Sequence, residues 1–355
     1  MKIYFGGPDK PPYHLRNLLA EKVSSINPGG EIFWVTYYFR DFYLAEKLIE
    51  AADRGVKVSV VLEAKPRVEF ANDEVYNFLK NSNKIYIHYI THYVTHYITH
   101  RKSHKKITRK LPKIHEKIYY FKDDNKCFTY IGTFNPSGRE NDDPHVIELI
   151  GDQDRGHNYL VELDMENDIN GFLYRHCQYM KAVRHGWYEL IKRFPAKIIT
   201  RKMDIYFFPW AGKKTLLNFL NRAEKNDNIY IAISHFTAKT IADALYRLAK
   251  KGVNIQIISH DTERRFPEKI ESLLNKYSID YKRYIHPKKY PMHNKFIILE
   301  KQQEKSVCLG SLNLTKRSLY ENHEILAIIR DEDVVDIFKK RWYEMHSEIV
   351  SNCYA

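Results

Sequence analysis

Two stretches of equal length carry the same pattern: HEKIYYFKDDNKCFTYIGTFN at residues 115–135 and HNKFIILEKQQEKSVCLGSLN at residues 293–313. Each begins with His-x-Lys, continues through a β-branched and aromatic run, and ends in Gly-[Thr/Ser]-x-Asn. Phosphodiester transfer needs these residue types, because an imidazole can attack phosphorus while an ammonium group and a carboxamide hold the charged oxygens. Two matched copies therefore predict one catalytic centre with two-fold character, whereas a single His-x-Lys would indicate little.

The similarity between the halves extends well beyond these stretches, which indicates an internal duplication. Each half has a strand-type run, then an amphipathic helix that ends at a glycine, then a second strand-type run. Such an arrangement within ~30 residues predicts a βαβ unit with parallel strands and a right-handed crossover. The matching segments are MKIYF (1–5) and MDIYF (203–207), the first strands at 31–40 and 228–237, and the helix-ending glycines Gly55 and Gly252.

Length and composition predict a globular α/β protein of two lobes. At 355 residues with 44% hydrophobic content, the chain is long enough for two packed domains. We place the first lobe at residues 1–190 and the second at 200–355. The formal net charge of +13 favours polyanionic partners, either nucleic acid or an anionic membrane surface.

Cysteine usage and hydropathy bear on the cellular compartment. The four cysteines form no C-x-x-C pair, so neither a disulfide framework nor a thiolate zinc site is indicated. No apolar run resembles a signal peptide or approaches the ~18 residues of a membrane span. We therefore expect a soluble, cytoplasmic protein.

A histidine-rich insertion distinguishes the first half from the second. It covers about residues 88–106 and contains the repeat HYIT-HYVT-HYIT-H, with histidines at every fourth position from His88 to His104. That spacing places them on one face of either a helix or a strand, and the abundance of Ile, Val, Thr and Tyr favours β structure. Imidazoles so spaced can chelate a metal, but we favour an exposed insertion without a ligand and predict neither a metal nor a cofactor.

The two copies resemble the signature of the phospholipase D superfamily, H-x-K-x4-D-x6-G-[ST]-x-N, which its larger members contain twice. The resemblance covers nearly the whole chain. It implies a duplicated phospholipase D-like fold, two β-sheet lobes flanked by helices with pseudo-two-fold symmetry. It also implies that both motifs meet at one site, where a metal-independent reaction passes through a phosphohistidine.

The chain departs from this signature at the aspartate. Lys122 stands at that position in the first copy and Glu300 in the second, and both loops before the glycine are longer than in the family pattern. We therefore assign no catalytic role to either position. A further acidic position of the family, which orients the histidine, is matched by Glu324 in the second half and by Asn158 in the first.

The resemblance assigns the site residues by their matched positions. We expect His115 to attack phosphorus with Asn158 fixing its tautomer, and His293, backed by Glu324, to act as acid and base; the reverse assignment of the two histidines stays open. The predicted catalytic residues are His115, Lys117, Asn135, His293, Lys295, Asn313 and Glu324, supported by Thr133, Ser311 and Asn158. A decayed duplication that serves only as a binding surface is the alternative.

Basic residues near the first motif point towards nucleic acid. Residues 101–117 contain eight Lys or Arg and a single acid, Glu116, a pattern that can follow a phosphate backbone or form a solvated loop. Arg139 and Arg317 each lie four residues after their asparagine, at either a phosphate rim or a structural ion pair. The predicted substrate-binding residues are Lys102, Lys105, Lys106, Arg109, Arg139 and Arg317.

The superfamily resemblance leaves the substrate open. We favour a phosphodiesterase that acts as a nuclease on DNA or RNA, in nucleic-acid processing or foreign-DNA defence. The alternatives are a phospholipase D or phosphatidyltransferase acting on lipid head groups, a tyrosyl-DNA phosphodiesterase-like enzyme, and a non-catalytic nucleic-acid-binding protein. One chain holds both motifs, so a monomer suffices for a complete site, while a homodimer or a protein partner stays open.

Overall fold

Each half of the chain builds one mixed sheet around the expected βαβ unit. The computed structural model describes residues 1–90, 93–100, 103–110, 113–124, 126–138, 155–163, 167–182 and 196–352, with the main chain alone at 93–100, 103–110, 167 and 350–352. The elements of the first half are β1 (Lys2–Gly6), α1 (His14–Ser25), β2 (Glu31–Thr36), α2 (Phe42–Asp53), β3 (Lys57–Glu63), α3 (Asp73–Asn81), β4 (Tyr86–Ile90), β5 (Tyr93–His100), β6 (Ser103–Lys110), β7 (Ile118–Asp123), β8 (Lys126–Gly132), β9 (Asn158–Leu163) and α4 (Asn167–Ala182).

The second half repeats this order without the insertion, and among the described elements it has a further short strand at its start and a further short helix before its last strand. Its elements are β10 (Lys197–Ile199), β11 (Met203–Phe208), α5 (Gly212–Leu220), β12 (Asn228–Ile233), α6 (Lys239–Lys250), β13 (Asn254–His260), α7 (Glu268–Lys276), β14 (Asp280–Tyr284), β15 (Lys295–Glu300), β16 (Lys305–Gly310), α8 (Lys316–Tyr320), β17 (Glu324–Ile329) and α9 (Glu332–Asn352). The predicted boundary lies within 183–195, outside the described residues, so the division into 1–190 and 200–355 stays a prediction.

The strand orders of the two main sheets match, except that β10 adds an edge strand to the second sheet. The first runs β1-β9-β8-β7-β2-β3-β4 and the second β10-β11-β17-β16-β15-β12-β13-β14. In both, the strands of the βαβ unit pair in parallel, β2 with β3 and β12 with β13, while the motif strands β7 and β15 join the sheet antiparallel. Gly55 (φ 92°) and Gly252 (φ 88°) follow the crossover helices in the left-handed conformation that glycine adopts readily. The predicted duplicated α/β fold is confirmed.

The histidine-rich insertion forms a β-hairpin. Strands β5 and β6 pair antiparallel from Tyr93↔Lys110 to His100↔Ser103 and make a two-stranded sheet of their own. The β preference read from the sequence is therefore confirmed for these strands. The hairpin begins later than the predicted insertion, because His88 belongs to β4 and pairs with Val61 in the main sheet.

Three large hydrophobic clusters form the core. One packs α1, α2 and α3 against the first sheet, with Trp34 and Leu48 among its members. A second packs α5, α6 and α7 against the second sheet, with Ile231 and Leu245 among its members. The third draws on both sheets and on α4 and α9, so the halves share a core that fixes how their motifs meet.

Within the described part of the chain, no helix combines the length and apolarity needed to cross a lipid bilayer. Cys127, Cys177 and Cys308 are free thiols, and Cys353 lies outside the described residues.

Candidate active site

Each motif occupies the same end of an antiparallel strand pair. His-x-Lys leads into β7 or β15, and Gly-[Thr/Ser]-x-Asn follows β8 or β16, the neighbouring strand. The glycines are required by close packing: a Cβ on Gly132 would lie 2.2 Å from the carbonyl oxygen of Tyr159, and one on Gly310 would lie 2.2 Å from that of Ile325. The chain therefore brings histidine, lysine and asparagine together in each half.

Main-chain bridges between the halves align the two motifs. Ile114, just before the first histidine, pairs with His323, and Met292, just before the second, pairs with His157. The His115 amide donates to His323 O (2.8 Å), and the His293 amide donates to His157 O (3.0 Å). Each motif histidine therefore lies beside the first residue of β17 or β9 from the opposite half.

This register corrects the predicted pairing of the histidines. His115 Nδ1 lies 2.8 Å from Glu324 Oε2, and His293 Nδ1 lies 2.9 Å from Asn158 Oδ1. The sequence predicts that Asn158 orients His115 and that Glu324 orients His293. Both predicted pairings are wrong. The cause is the bridging between halves: each histidine receives its backing group across the pseudo-two-fold axis rather than from its own half.

The hydroxyl groups after the two glycines fix these backing residues. Thr133 Oγ1 donates to Asn158 Oδ1 (3.0 Å) and accepts from the Tyr159 amide (3.1 Å). Ser311 Oγ donates to Glu324 Oε2 (2.6 Å) and accepts from the Ile325 amide (3.1 Å). The hydroxyls therefore act on the carboxylate and carboxamide behind the histidines, as well as at the turns where they lie.

The two imidazoles differ in their electrostatic surroundings. Burial lowers the pKa of His115 to about 4, although the carboxylate of Glu324 opposes this. Burial, with Lys295 and Lys117 nearby, lowers the pKa of His293 well below its usual value, without an opposing carboxylate. Burial acts to raise the pKa of Glu324, yet His115 and Lys117 together hold it below its ordinary range. Burial therefore favours the neutral form of both histidines.

The motif lysines are buried beneath the histidines. Lys117 Nζ donates to His115 O (2.5 Å) and Lys295 Nζ to His293 O (2.8 Å). Burial lowers the pKa of Lys117 to about 7 and that of Lys295 well below its usual value. A bound phosphodiester anion would restore their charged forms, so the site is arranged to gain positive charge when its substrate enters.

The histidines and asparagines of both motifs open into one cavity of about 520 Å³. Arg317, predicted from sequence, lines it as well. Arg139 and Lys102 lie outside the described residues, while Lys105, Lys106 and Arg109 fall on β6, where the main chain alone is described. The remaining lining side chains are Tyr37, Tyr38, Arg67, His235, Thr237, Arg264, Arg265, Thr315, Lys316, Ser318 and Asn322.

Sequence reasoning missed Arg67, Arg264 and Arg265 of this lining, although a signal was present. Arg67 and Arg264 each lie four residues after the last residue of the second strand of the βαβ unit, Glu63 and His260. The same side chain at the same place in both repeats follows a strand end, where loops of α/β folds carry function. Comparing the repeats loop by loop would have found it.

The acidic side chains at and beside the position of the family aspartate make structural contacts. Glu300, at that position in the second half, accepts from Lys339 Nζ at 2.7 and 2.8 Å. Asp123, next to Lys122 in the first half, accepts from the amide and the side chain of Asn27, each at 3.1 Å. Among the side chains that the structure describes, no group of three or more His, Cys, Asp or Glu is arranged to hold a metal ion.

A family model described as cardiolipin synthase, phospholipase D-like domain, matches residues 26–150 and 216–345, more than half of the chain. The chain belongs to the phospholipase D superfamily. Its two lobes form a duplicated phospholipase D-like fold. A search of curated proteins by comparison with the chain found no match.

Solved structures share this phospholipase D-like fold. Polyphosphate kinase from Porphyromonas gingivalis aligns with 97% of the chain (TM-score 0.63, 16% identity), and the chain spans 50% of that protein's length. Phosphatidylserine synthase from Haemophilus influenzae aligns with 98% of the chain and 86% of its own length (TM-score 0.64, 10% identity). NucT from Helicobacter pylori covers 41% of the chain and 96% of its own length (TM-score 0.35, 25% identity). At 16% and 10% identity, the alignments with polyphosphate kinase and phosphatidylserine synthase show a shared fold and nothing about activity.

Proposed function

We propose that this phospholipase D-superfamily member is a nuclease that hydrolyses phosphodiester bonds of DNA or RNA through a phosphohistidine, without a metal ion. The lining of the cavity carries the proposal: its described side chains are polar, cationic or tyrosine, and none is aliphatic. A sugar-phosphate strand presents charge, hydroxyls and base faces, which arginine and tyrosine side chains can bind. Nucleic-acid processing and foreign-DNA defence are the biological roles that fit such an enzyme.

In the proposed reaction, His115 is the nucleophile. Its Nδ1–H donates to Glu324, which leaves the Nε2 lone pair free to attack phosphorus. The bond from phosphorus to the leaving oxygen breaks as protonated His293 gives that oxygen its proton. Neutral His293 then takes a proton from water, whose oxygen attacks phosphorus and releases His115. Lysines and asparagines of both motifs hold the non-bridging oxygens throughout.

The corrected pairing supports this assignment. A phosphorylated imidazole is cationic for the lifetime of the intermediate, and the Glu324 carboxylate behind His115 stabilises that cation. His293 has the Asn158 carboxamide behind it, and burial with Lys295 and Lys117 nearby lowers its pKa well below the usual value. A weakly held proton is readily given to the leaving oxygen, once the substrate's negative charge has favoured protonation of His293.

A lipid substrate is the second candidate, favoured by the description of the family model. A diacyl phosphodiester needs an apolar surface beside the phosphate, and interfacial enzymes expose an apolar face. The loop that carries Arg67 exposes Phe70, which is 74% accessible, a single ring rather than such a face. The cavity therefore fits a nucleic-acid strand better than a lipid.

The test is cleavage of labelled single- and double-stranded DNA and RNA in excess EDTA, alongside vesicles of phosphatidylglycerol and cardiolipin. We expect EDTA-resistant cleavage of at least one nucleic acid, its loss in His293→Ala, and its retention in the control His14→Ala on α1. Hydrolysis of the vesicle lipids alone would replace the proposal with the lipid activity. Salt-sensitive binding that survives His115→Ala, with no cleavage of any substrate, would contradict an enzymatic role.

A further inference from the structure

Arg265 is a buried cation whose guanidinium is incompletely bonded. The residue is 6% exposed, and its Nε and Nη1 atoms are buried without a hydrogen-bond partner, yet it lines the active-site cavity. A buried charged group that lacks partners is costly. Asp261, the acid that acts on Arg265 most strongly, is already paired with His260. The two buried, unbonded nitrogen atoms of Arg265 are therefore suited to bind an anion in the cavity.

The cavity carries more positive charge than one phosphodiester can balance. Lys117 and Lys295 beneath the histidines, offset by Glu324, suffice for the single negative charge of the reacting phosphate. Five further cationic side chains line the cavity, and no described lining residue is acidic; they are Arg67, Arg264, Arg265, Lys316 and Arg317. The site is therefore built for a substrate with additional negative charge near the scissile bond.

This excess is concentrated on the wall from the second half. Where that wall has Arg265, the matching residue of the first half is Val68, which packs on Tyr37 and Tyr38. Arg265 also acts electrostatically on His293 and Lys295. The extra charge thus lies beside the histidine that serves the leaving group.

We propose that Arg265, with Arg264 beside it and Arg67 from the opposite half, forms a second phosphate subsite on the leaving-group side of the scissile bond. The inference rests on the proposed function: in a nucleic acid, the bound group is the neighbouring phosphate on the fragment that departs. The same chemistry would accept the next phosphoryl group of an inorganic polyphosphate. The catalytic centre thus recognises two phosphoryl groups and reacts with one.

The test measures binding separately from cleavage. Dissociation constants are measured with the full-length His115→Ala protein for three thymidine dinucleotides: one without a terminal phosphate, one with a 5′-phosphate and one with a 3′-phosphate. We expect one phosphorylated form to bind about ten- to hundredfold more tightly than the unphosphorylated form, as charge-assisted hydrogen bonds allow. Adding Arg265→Met should abolish that preference, while Arg247→Met, at an exposed position of α6, should leave it intact.

Each result bears on one of the two proposals. Equal affinity for all three dinucleotides, or a preference that Arg265→Met does not change, would overturn the subsite whether or not the enzyme cleaves nucleic acid. If no dinucleotide binds but tripolyphosphate does, and Arg265→Met weakens that binding, the subsite stands and the nuclease proposal fails. In the cleaving wild-type enzyme, the preferred terminal phosphate must lie on the fragment released first; its location on the retained fragment would contradict the placement.

Discussion

The two half-sites share their histidine, lysine and asparagine, and they differ in the group behind each histidine. His115 has a carboxylate, Glu324, at 2.8 Å, whereas His293 has a carboxamide, Asn158, at 2.9 Å. Duplication gives two equal copies, but the two-step reaction that we propose makes different demands on the two imidazoles. One must carry a covalent phosphoryl group as a cation, and the other must give up and recover a proton. The Glu324 carboxylate behind His115 suits the first of these roles, and the Asn158 carboxamide behind His293 suits the second.

The cavity walls show the same departure from symmetry. The first half presents an aromatic wall, where Tyr37 packs edge-on against His115 with ring centroids 5.1 Å apart. The second half has His235 where the first has Tyr38, and it has Arg265 where the first has Val68. The wall from the first half is therefore the more aromatic and the wall from the second half the more cationic, so the cavity is asymmetric.

The largest effect should separate the roles of the two histidines. We expect His115→Ala and His293→Ala each to lower DNA cleavage by about 10⁴-fold or more. With bis(4-nitrophenyl) phosphate, whose leaving group departs without a proton, His293→Ala should still release a burst of nitrophenol and retain a covalent phosphohistidine. His115→Ala should show no burst in rapid-mixing experiments. A burst in His115→Ala and none in His293→Ala would reverse the assignment.

The next effect concerns the backing groups. Glu324→Gln should lower kcat by about 10²–10⁴-fold, because a carboxamide cannot stabilise the cationic intermediate and can impose the wrong tautomer. Asn158→Asp should change kcat by less than about tenfold. The new carboxylate should raise the pKa of His293, so activity that depends on protonated His293 should be lost at a higher pH than in the wild type. The measurement is kcat across pH for both variants. Equal losses of kcat in Glu324→Gln and Asn158→Asp would mean that it makes no catalytic difference whether a carboxylate or a carboxamide backs the histidine.

A smaller effect appears in the pH dependence of kcat/KM. The phosphate-binding form of Lys117 is the charged one, and burial lowers its pKa to about 7. Its contribution is therefore present below that pH and is lost as pH rises through it, so the decline of kcat/KM should steepen near 7. In Lys117→Arg the cation stays charged, and the steepening there should disappear. Persistence of the same break in that variant would assign it to another group.

The smallest difference concerns the stability of the two motif turns. Gly310 has φ 139° and Gly132 has no positive φ, while a Cβ on either would meet a carbonyl oxygen at 2.2 Å. We expect Gly310→Ala to destabilise by about 3 kcal/mol and Gly132→Ala by about 2 kcal/mol in urea unfolding. Gly29→Ala is the control for backbone strain alone, since Gly29 has φ 86° and open space around it; it should cost about 1 kcal/mol. If Gly310→Ala lowers the free energy of unfolding no more than Gly29→Ala does, the neighbouring strand β17 must move aside at little energetic cost.

Much of the fold follows from local pattern. β-Branched runs, amphipathic periodicity and the glycines at 55 and 252 are sequence signals of strands, a helix and its end, and the structure confirms each of them. Because the sequence is duplicated, the strand and helix patterns of the βαβ unit occur twice, and each copy supports the prediction made from the other. The insertion was harder, since a four-residue repeat fits both a helix and a strand, and the main-sheet pairing of His88 has no local signature.

The sequence by itself determined that the chain is a duplicated phospholipase D-like protein and which histidines, lysines and asparagines it brings to one site, because these depend on residue type and on spacing along each half. The tertiary structure alone decided which group stands behind which histidine. That choice depends on the bridges Ile114↔His323 and His157↔Met292, which join residues far apart in the chain. It also decided that Arg67, Arg264 and Arg265 face one cavity, since separate loops become neighbours only when the shared core packs the two sheets together.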